Sequence, residues 1–111
     1  MLKKQNIDFD FCGATCQLQI CNNPKGGLTE IDDRRTPKVI IKIHNKVSEI
    51  VFLQALGHEL VECALMLNQT LFECSDQNNE KNFFQFDHGK LTSMFDEIFL
   101  AYENLKKVIF K

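Results

Sequence analysis

His58, Glu59 and Glu62 stand within the run Leu56 to Ala64, LGHELVECA. Residues at i and i+4 lie one above the other on a helix, so His58 and Glu62 can both reach one ion, while Glu59 is turned toward the flank. Imidazole nitrogens and carboxylate oxygens both ligate zinc, and two histidines with one glutamate are an accepted catalytic set. The run His58-Glu59-Leu60-Val61-Glu62 differs by one residue from H-E-x-x-H, where two histidines hold zinc and the glutamate is the general base. The competing account is an ordinary helix: Glu62 paired with a lysine of another helix, His58 bonded to a backbone carbonyl, and Glu59 at a wet edge.

Two ligands do not make a site, and of the 3 histidines two remain. His88, in Phe86-Asp87-His88-Gly89-Lys90, opens the second helical segment at the border of its apolar stripe and can fold back over the first helix. The adjacent Asp87 suits the N-cap, where a short carboxylate accepts from free backbone N–H groups. His44 ends a strand and is followed by polar Asn45-Lys46, the mark of an exposed strand end. The expected metal ligands are therefore His58, Glu62 and His88, holding one Zn2+ per chain.

The elements that must position these residues divide the chain into a β half and an α half. Ile7, Phe9 and Phe11 alternate with polar residues, as does Cys16-Gln17-Leu18-Gln19-Ile20-Cys21, the period of a half-buried strand. Asn22-Asn23-Pro24-Lys25-Gly26-Gly27 has turn composition and predicts a hairpin into Leu28-Thr29-Glu30-Ile31. After Asp32-Asp33-Arg34-Arg35 comes the β-branched run Val39-Ile40-Ile41-Lys42-Ile43. The connections are too short for crossovers, so the expected sheet is antiparallel, with three to four strands over about residues 7–43.

From about 48 to 69 the period is helical, and Leu53, Leu56, Leu60, Ala64, Leu67 and Leu71 form a stripe that must pack on the sheet. Val51, Ala55 and Leu65 share the opposite side with His58 and Glu62, which predicts a helix buried between two layers. The second layer is expected from a C-terminal helix over about 88–110, with Leu91, Met94, Phe95, Ile98, Tyr102, Leu105 and Ile109 on one stripe. An unpaired carboxylate between layers costs several kcal/mol, and a structural zinc contributes on the order of 10 kcal/mol. A bound ion would explain such a placement.

Composition narrows the function classes. With 111 residues, 44% hydrophobic and 25% charged, the chain is expected to be a single α+β domain over 1–111. A net charge of −2, with the basic residues dispersed, argues against nucleic acid and anionic membranes as partners. The N-terminus MLKKQNIDFDF has no apolar core, and no run reads as long enough to span a bilayer, so a cytoplasmic setting is expected. The 5 cysteines, an odd number, suit free thiols better than a disulfide framework. Cys12-x3-Cys16-x4-Cys21 lacks C-x2-C spacing and a nearby fourth ligand, so these residues read as small hydrophobes rather than a zinc knuckle.

In this order of parts the chain resembles the minimal zincin-like proteins of bacteriophages and prophages, over roughly residues 26–105. The likeness rests on the strand Val39 to Ile43, the apolar lead-in Phe52-Leu53-Gln54-Ala55-Leu56, the His58-Glu59 helix, and the later His88 opening a final helix. In that group the motif occurs as H-E-x-x-H and as H-E-x-x-E. The resemblance implies His58, Glu62 and His88 as metal ligands, Glu59 as general base, zinc as cofactor, and peptide or amide hydrolysis as the reaction. Glu62 in place of the second histidine weakens the step from metal binding to proteolysis, since so small a chain has little room for a substrate cleft. The strand ending near Ile43 is expected to align an extended substrate by β-addition. The competing class is a non-catalytic interaction protein in which a metal, or no metal, staples the two helices.

Overall fold

Alternation along Gln5–Phe11 and Ala14–Cys21 produces strands β1 and β2 of the computed structural model, which describes residues 2–22, 26–68 and 88–110. The two strands form a hairpin from Gln5 opposite Ile20 to Phe11 opposite Ala14, closed through Cys12 and Gly13, both at positive φ. β3 (Gly27–Ile31) and β4 (Val39–His44) follow, then helices α1 (Glu49–Leu67) and α2 (His88–Ile109). The architecture is α+β, a small sheet followed by two helices. The expected helices, 48–69 and 88–110, agree within two residues at each end.

The sheet is mixed rather than antiparallel. Its order is β1-β2-β4-β3: β4 pairs in parallel with β2, Cys16 opposite Val39 and Cys21 opposite His44, and antiparallel with β3, Gly27 opposite Ile43. The hairpin expected across 22–27 does not form, because β4 inserts between β2 and β3. The physical reason is apolarity. Val39, Ile41 and Ile43 are at most 1% exposed and belong at the centre of the sheet, whereas β3, with Thr29 and Glu30, tolerates the edge. A parallel pair needs no helical crossover here, since β3 and its turn occupy the connection between β2 and β4. Arg35 braces that turn, its guanidinium donating to the carbonyls of Pro37 at 2.9 Å, Lys38 at 3.2 Å and Glu30 at 3.3 Å.

α1 starts where Ser48 Oγ accepts from the Val51 N–H at 3.2 Å, and it ends where Asn68 Nδ2 donates to the Ala64 carbonyl at 2.8 Å. Its buried face is Phe52, Leu56, Glu59, Leu60, Cys63 and Ala64, set over β3 and β4. Leu53 and Leu67 are half-buried, and Leu71 lies outside the described residues. Against expectation, this 19-residue helix reaches a mean hydropathy of 1.6 over its most apolar 18-residue stretch, enough to cross a bilayer by length and composition alone. In the fold that apolarity is used to cover Leu18, Ile20, Ile41 and Ile43.

The expected burial of α1 between two layers is not realised. α2 lies beside α1 on the same face of the sheet, joining the core through Met94, Ile98 and Leu105 and reaching the β1–β2 turn, where the Cys12 N–H donates to Glu97 Oε1 at 2.9 Å. The side of α1 away from the sheet is open: Val51 is 48% exposed and Val61 38%. Ala55 and Leu65 are half-buried against the core, and a single exposed valine at 51 is ordinary on a protein surface, so no second layer is required.

Candidate functional site

His58, Glu59 and Glu62 come from consecutive turns of α1, and the 100° step between residues separates them into two environments. His58 Nε2 and Glu62 Oε2 lie 2.9 Å apart as an i,i+4 pair, with side chains 64% and 49% exposed. This overturns the expectation of a buried face for the pair. The desolvation argument for a metal therefore does not apply to Glu62. It applies instead to Glu59, which is 6% exposed and points at the edge strand β3.

There Thr29 Oγ1 donates to Glu59 Oε1 at 2.6 Å, a charge-assisted hydrogen bond that offsets part of the cost of burial. Gly27 makes room for the other oxygen: a Cβ added at this position would lie 2.8 Å from Glu59 Oε2. Thr29 and Gly27 escaped the sequence reading, because only the pairing of β3 outside β4 brings them to α1. Their common face was legible, since residues two apart on a strand point the same way. Thr29→Val is expected to cost about 1–3 kcal/mol, since a buried charged acceptor loses its donor. Urea denaturation of the variant measures this, and an unchanged midpoint would mean that water replaces the hydroxyl without loss.

The remaining expected site residues are distributed as follows. His88 begins α2, so its backbone stands where a ligand opening the final helix was expected, but its side chain lies outside the described residues, as does Asp87. His44 closes β4 and is half-buried, its N–H donating to the Gly26 carbonyl at 2.8 Å. Among the described residues no three His, Cys, Asp or Glu side chains group to hold a metal ion. His58 and Glu62 nevertheless fit two positions of a His2Glu set: one imidazole nitrogen and one carboxylate oxygen, adjacent, accessible and on one helix face. No described side chain supplies a third position beside them.

No protein-family model, curated protein or solved structure matches the chain.

On the other side of His58 a groove of about 490 Å³ runs between the helices, lined by Leu53, Gly57, Val61, Phe95, Phe99 and Tyr102 among others. Tyr102, expected in the core, is half-buried in this wall, with Lys106 Nζ 6.0 Å from the centre of its ring. The candidate ligand pair thus stands on a ridge of α1, with Glu59 and the sheet edge on one flank and an apolar groove on the other.

The described cysteines, Cys12, Cys16, Cys21 and Cys63, are free thiols, and Cys74 lies outside the described residues. Cys16 and Cys63 are core residues, and the hydrogen bond with Cys16, together with burial, pushes the Cys63 thiol up. Burial and the Glu97 carboxylate push the Cys12 thiol up to about 11. Since the thiolate is the nucleophile, alkylation of Cys12 by iodoacetamide should be slow near pH ~8 and accelerate until the pH approaches that value. Peptide-resolved mass spectrometry follows the rate. A plateau already reached by pH ~9 would contradict the effect of burial and Glu97 on this thiol.

Proposed function

We propose that the chain is a metal-binding, zincin-like domain of the H-E-x-x-E type, a zinc-dependent peptide or amide hydrolase working in the cytoplasm. The observation that carries this reading is the His58–Glu62 pair, two zinc donors 2.9 Å apart on one accessible helix face, with Glu59 one residue away. His58, Glu62 and His88 would hold the ion. A zinc ion so bound supplies Lewis acidity for the substrate carbonyl and lowers the pKa of water.

The chain's own residues account for positioning and proton transfer. Thr29 fixes Glu59 Oε1, which leaves Oε2 as the atom that takes the proton of the attacking water and passes it to the leaving amine. Substrate alignment belongs to β3 rather than to the strand ending at Ile43, because β4 is paired on both sides and β3 is an edge. An extended peptide added to β3 would run past the Glu59 carboxylate. The test is turnover of a peptide library by zinc-loaded protein, with loss on chelation and recovery on adding zinc. Cleavage that survives chelation would defeat the reading.

A second reading, a non-catalytic interaction protein, is favoured by one observation. His58 and Glu62 already satisfy each other, and an exposed i,i+4 pair of this kind contributes only about 0.3–0.5 kcal/mol without any ion. It predicts no turnover and no zinc requirement for folding.

A further inference from the structure

The groove beside His58 has walls with a common repeat. Leu53, Gly57 and Val61 follow one another at i,i+4 along α1, while Phe95 and Phe99 do so along α2. The two phenylalanines stack, with centroids 6.2 Å apart and planes at 25°, yet remain 42% and 62% exposed. Their stacking forms a continuous ridge rather than a filled core. Gly57 lowers the facing wall: a Cβ there would stand 3.9 Å from Tyr102 Cε1, in van der Waals contact, so the Tyr102 ring closes the groove behind Gly57 and a larger side chain at 57 would project into it. Parallel i,i+4 ridges over about 9 residues make a channel about 12–14 Å long, the length of two to three helical turns.

The polar lining is equally directional. Gln54, His58 and Glu103 border the groove, no lysine or arginine among the described residues lines it, and Glu62 adjoins His58 on the same rim. Lys106 is held over the Tyr102 ring, 6.0 Å from its centre. An apolar channel with carboxylates at two of its rims complements a ligand that is apolar on one face and basic on the other.

We infer that this groove is a docking site for a short basic amphipathic helix of a partner protein, its apolar residues at i, i+3, i+4 and i+7 seated between Val61 and Phe99 and its cations set against Glu103 and, in the metal-free chain, Glu62. The inference goes beyond the hydrolase reading and does not require a metal. It can therefore be tested on chelator-treated protein, where failure of the metal site leaves the result unaffected.

The probe is a fluorescein-labelled helical peptide of about 14 residues, Leu on one stripe and Lys elsewhere, compared with a scrambled sequence and a version with Glu for Lys. Fluorescence anisotropy should show saturable binding of the Leu/Lys helix and at least about tenfold weaker binding of both controls. Phe99→Asp, and independently Gly57→Leu, which fills the floor, should each weaken the parent interaction by about tenfold or more; Glu103→Lys should weaken the Lys peptide and improve the Glu version. Circular dichroism checks that each variant is folded, and Phe99 is exposed enough for its change to leave the core intact. Equal binding of the scrambled peptide, or indifference to both Phe99→Asp and Gly57→Leu, would overturn the inference. So would concentration-dependent dimerisation of the parent that Phe99→Asp abolishes, since the groove would then belong to a second copy of the chain.

Discussion

Glu59→Gln is expected to leave metal content and thermal stability near those of the parent while lowering peptide or amide hydrolysis by about two or more orders of magnitude. Glutamine keeps the side-chain length and a carbonyl oxygen to accept from Thr29 Oγ1, so the hydrogen bond of 2.6 Å has a successor. It loses the ability to take a proton. The position is a demanding one for a substitution, because Gly27 leaves little slack around the second terminal atom. Differential scanning calorimetry must therefore accompany the rate. A folded variant with parental turnover would remove Glu59 from the mechanism, and one that loses its zinc would make Glu59 a ligand or an essential support of one.

Alanine at His58, Glu62 or His88 is expected to reduce zinc affinity by two orders of magnitude or more in each case, because a His2Glu set reduced to two protein ligands loses most of its hold on the ion. His58→Ala and Glu62→Ala should fold well without metal, since both side chains are exposed and their mutual pairing is weak. His44→Ala provides the comparison and should bind as the parent does. Competition with a chromophoric chelator measures all four. Full affinity in His88→Ala together with loss in His44→Ala would reassign the third ligand.

Much of the fold was legible because it is encoded locally. The alternation of Cys16 to Cys21 and the helical spacing of Leu56, Leu60 and Ala64 act within a few residues, and those elements form where the pattern puts them. Strand order is not local. It was settled by the competition of Val39, Ile41 and Ile43 for the centre of the sheet, which short connections alone did not reveal. The site divides in the same way. The i,i+4 adjacency of His58 and Glu62 follows from helix geometry and is found at 2.9 Å. Which of the three acidic-motif side chains is buried depended on the edge position of β3 and on Gly27 and Thr29, thirty residues upstream of Glu59 in the second case. Of the apolar flank Val51, Ala55 and Leu65, which suggested a covering layer, Ala55 and Leu65 pack half-buried against the one core and Val51 stays 48% exposed.

Whether His58, Glu62 and His88 hold one ion is tested most directly by elemental analysis of the full chain purified without chelator or nickel resin. About one zinc per chain in the parent is predicted, falling to near zero in His58→Ala and Glu62→Ala under the same purification. A parent protein that carries no transition metal, and takes up none when titrated with zinc at neutral pH, would contradict the claim and leave His58 and Glu62 as a surface ion pair.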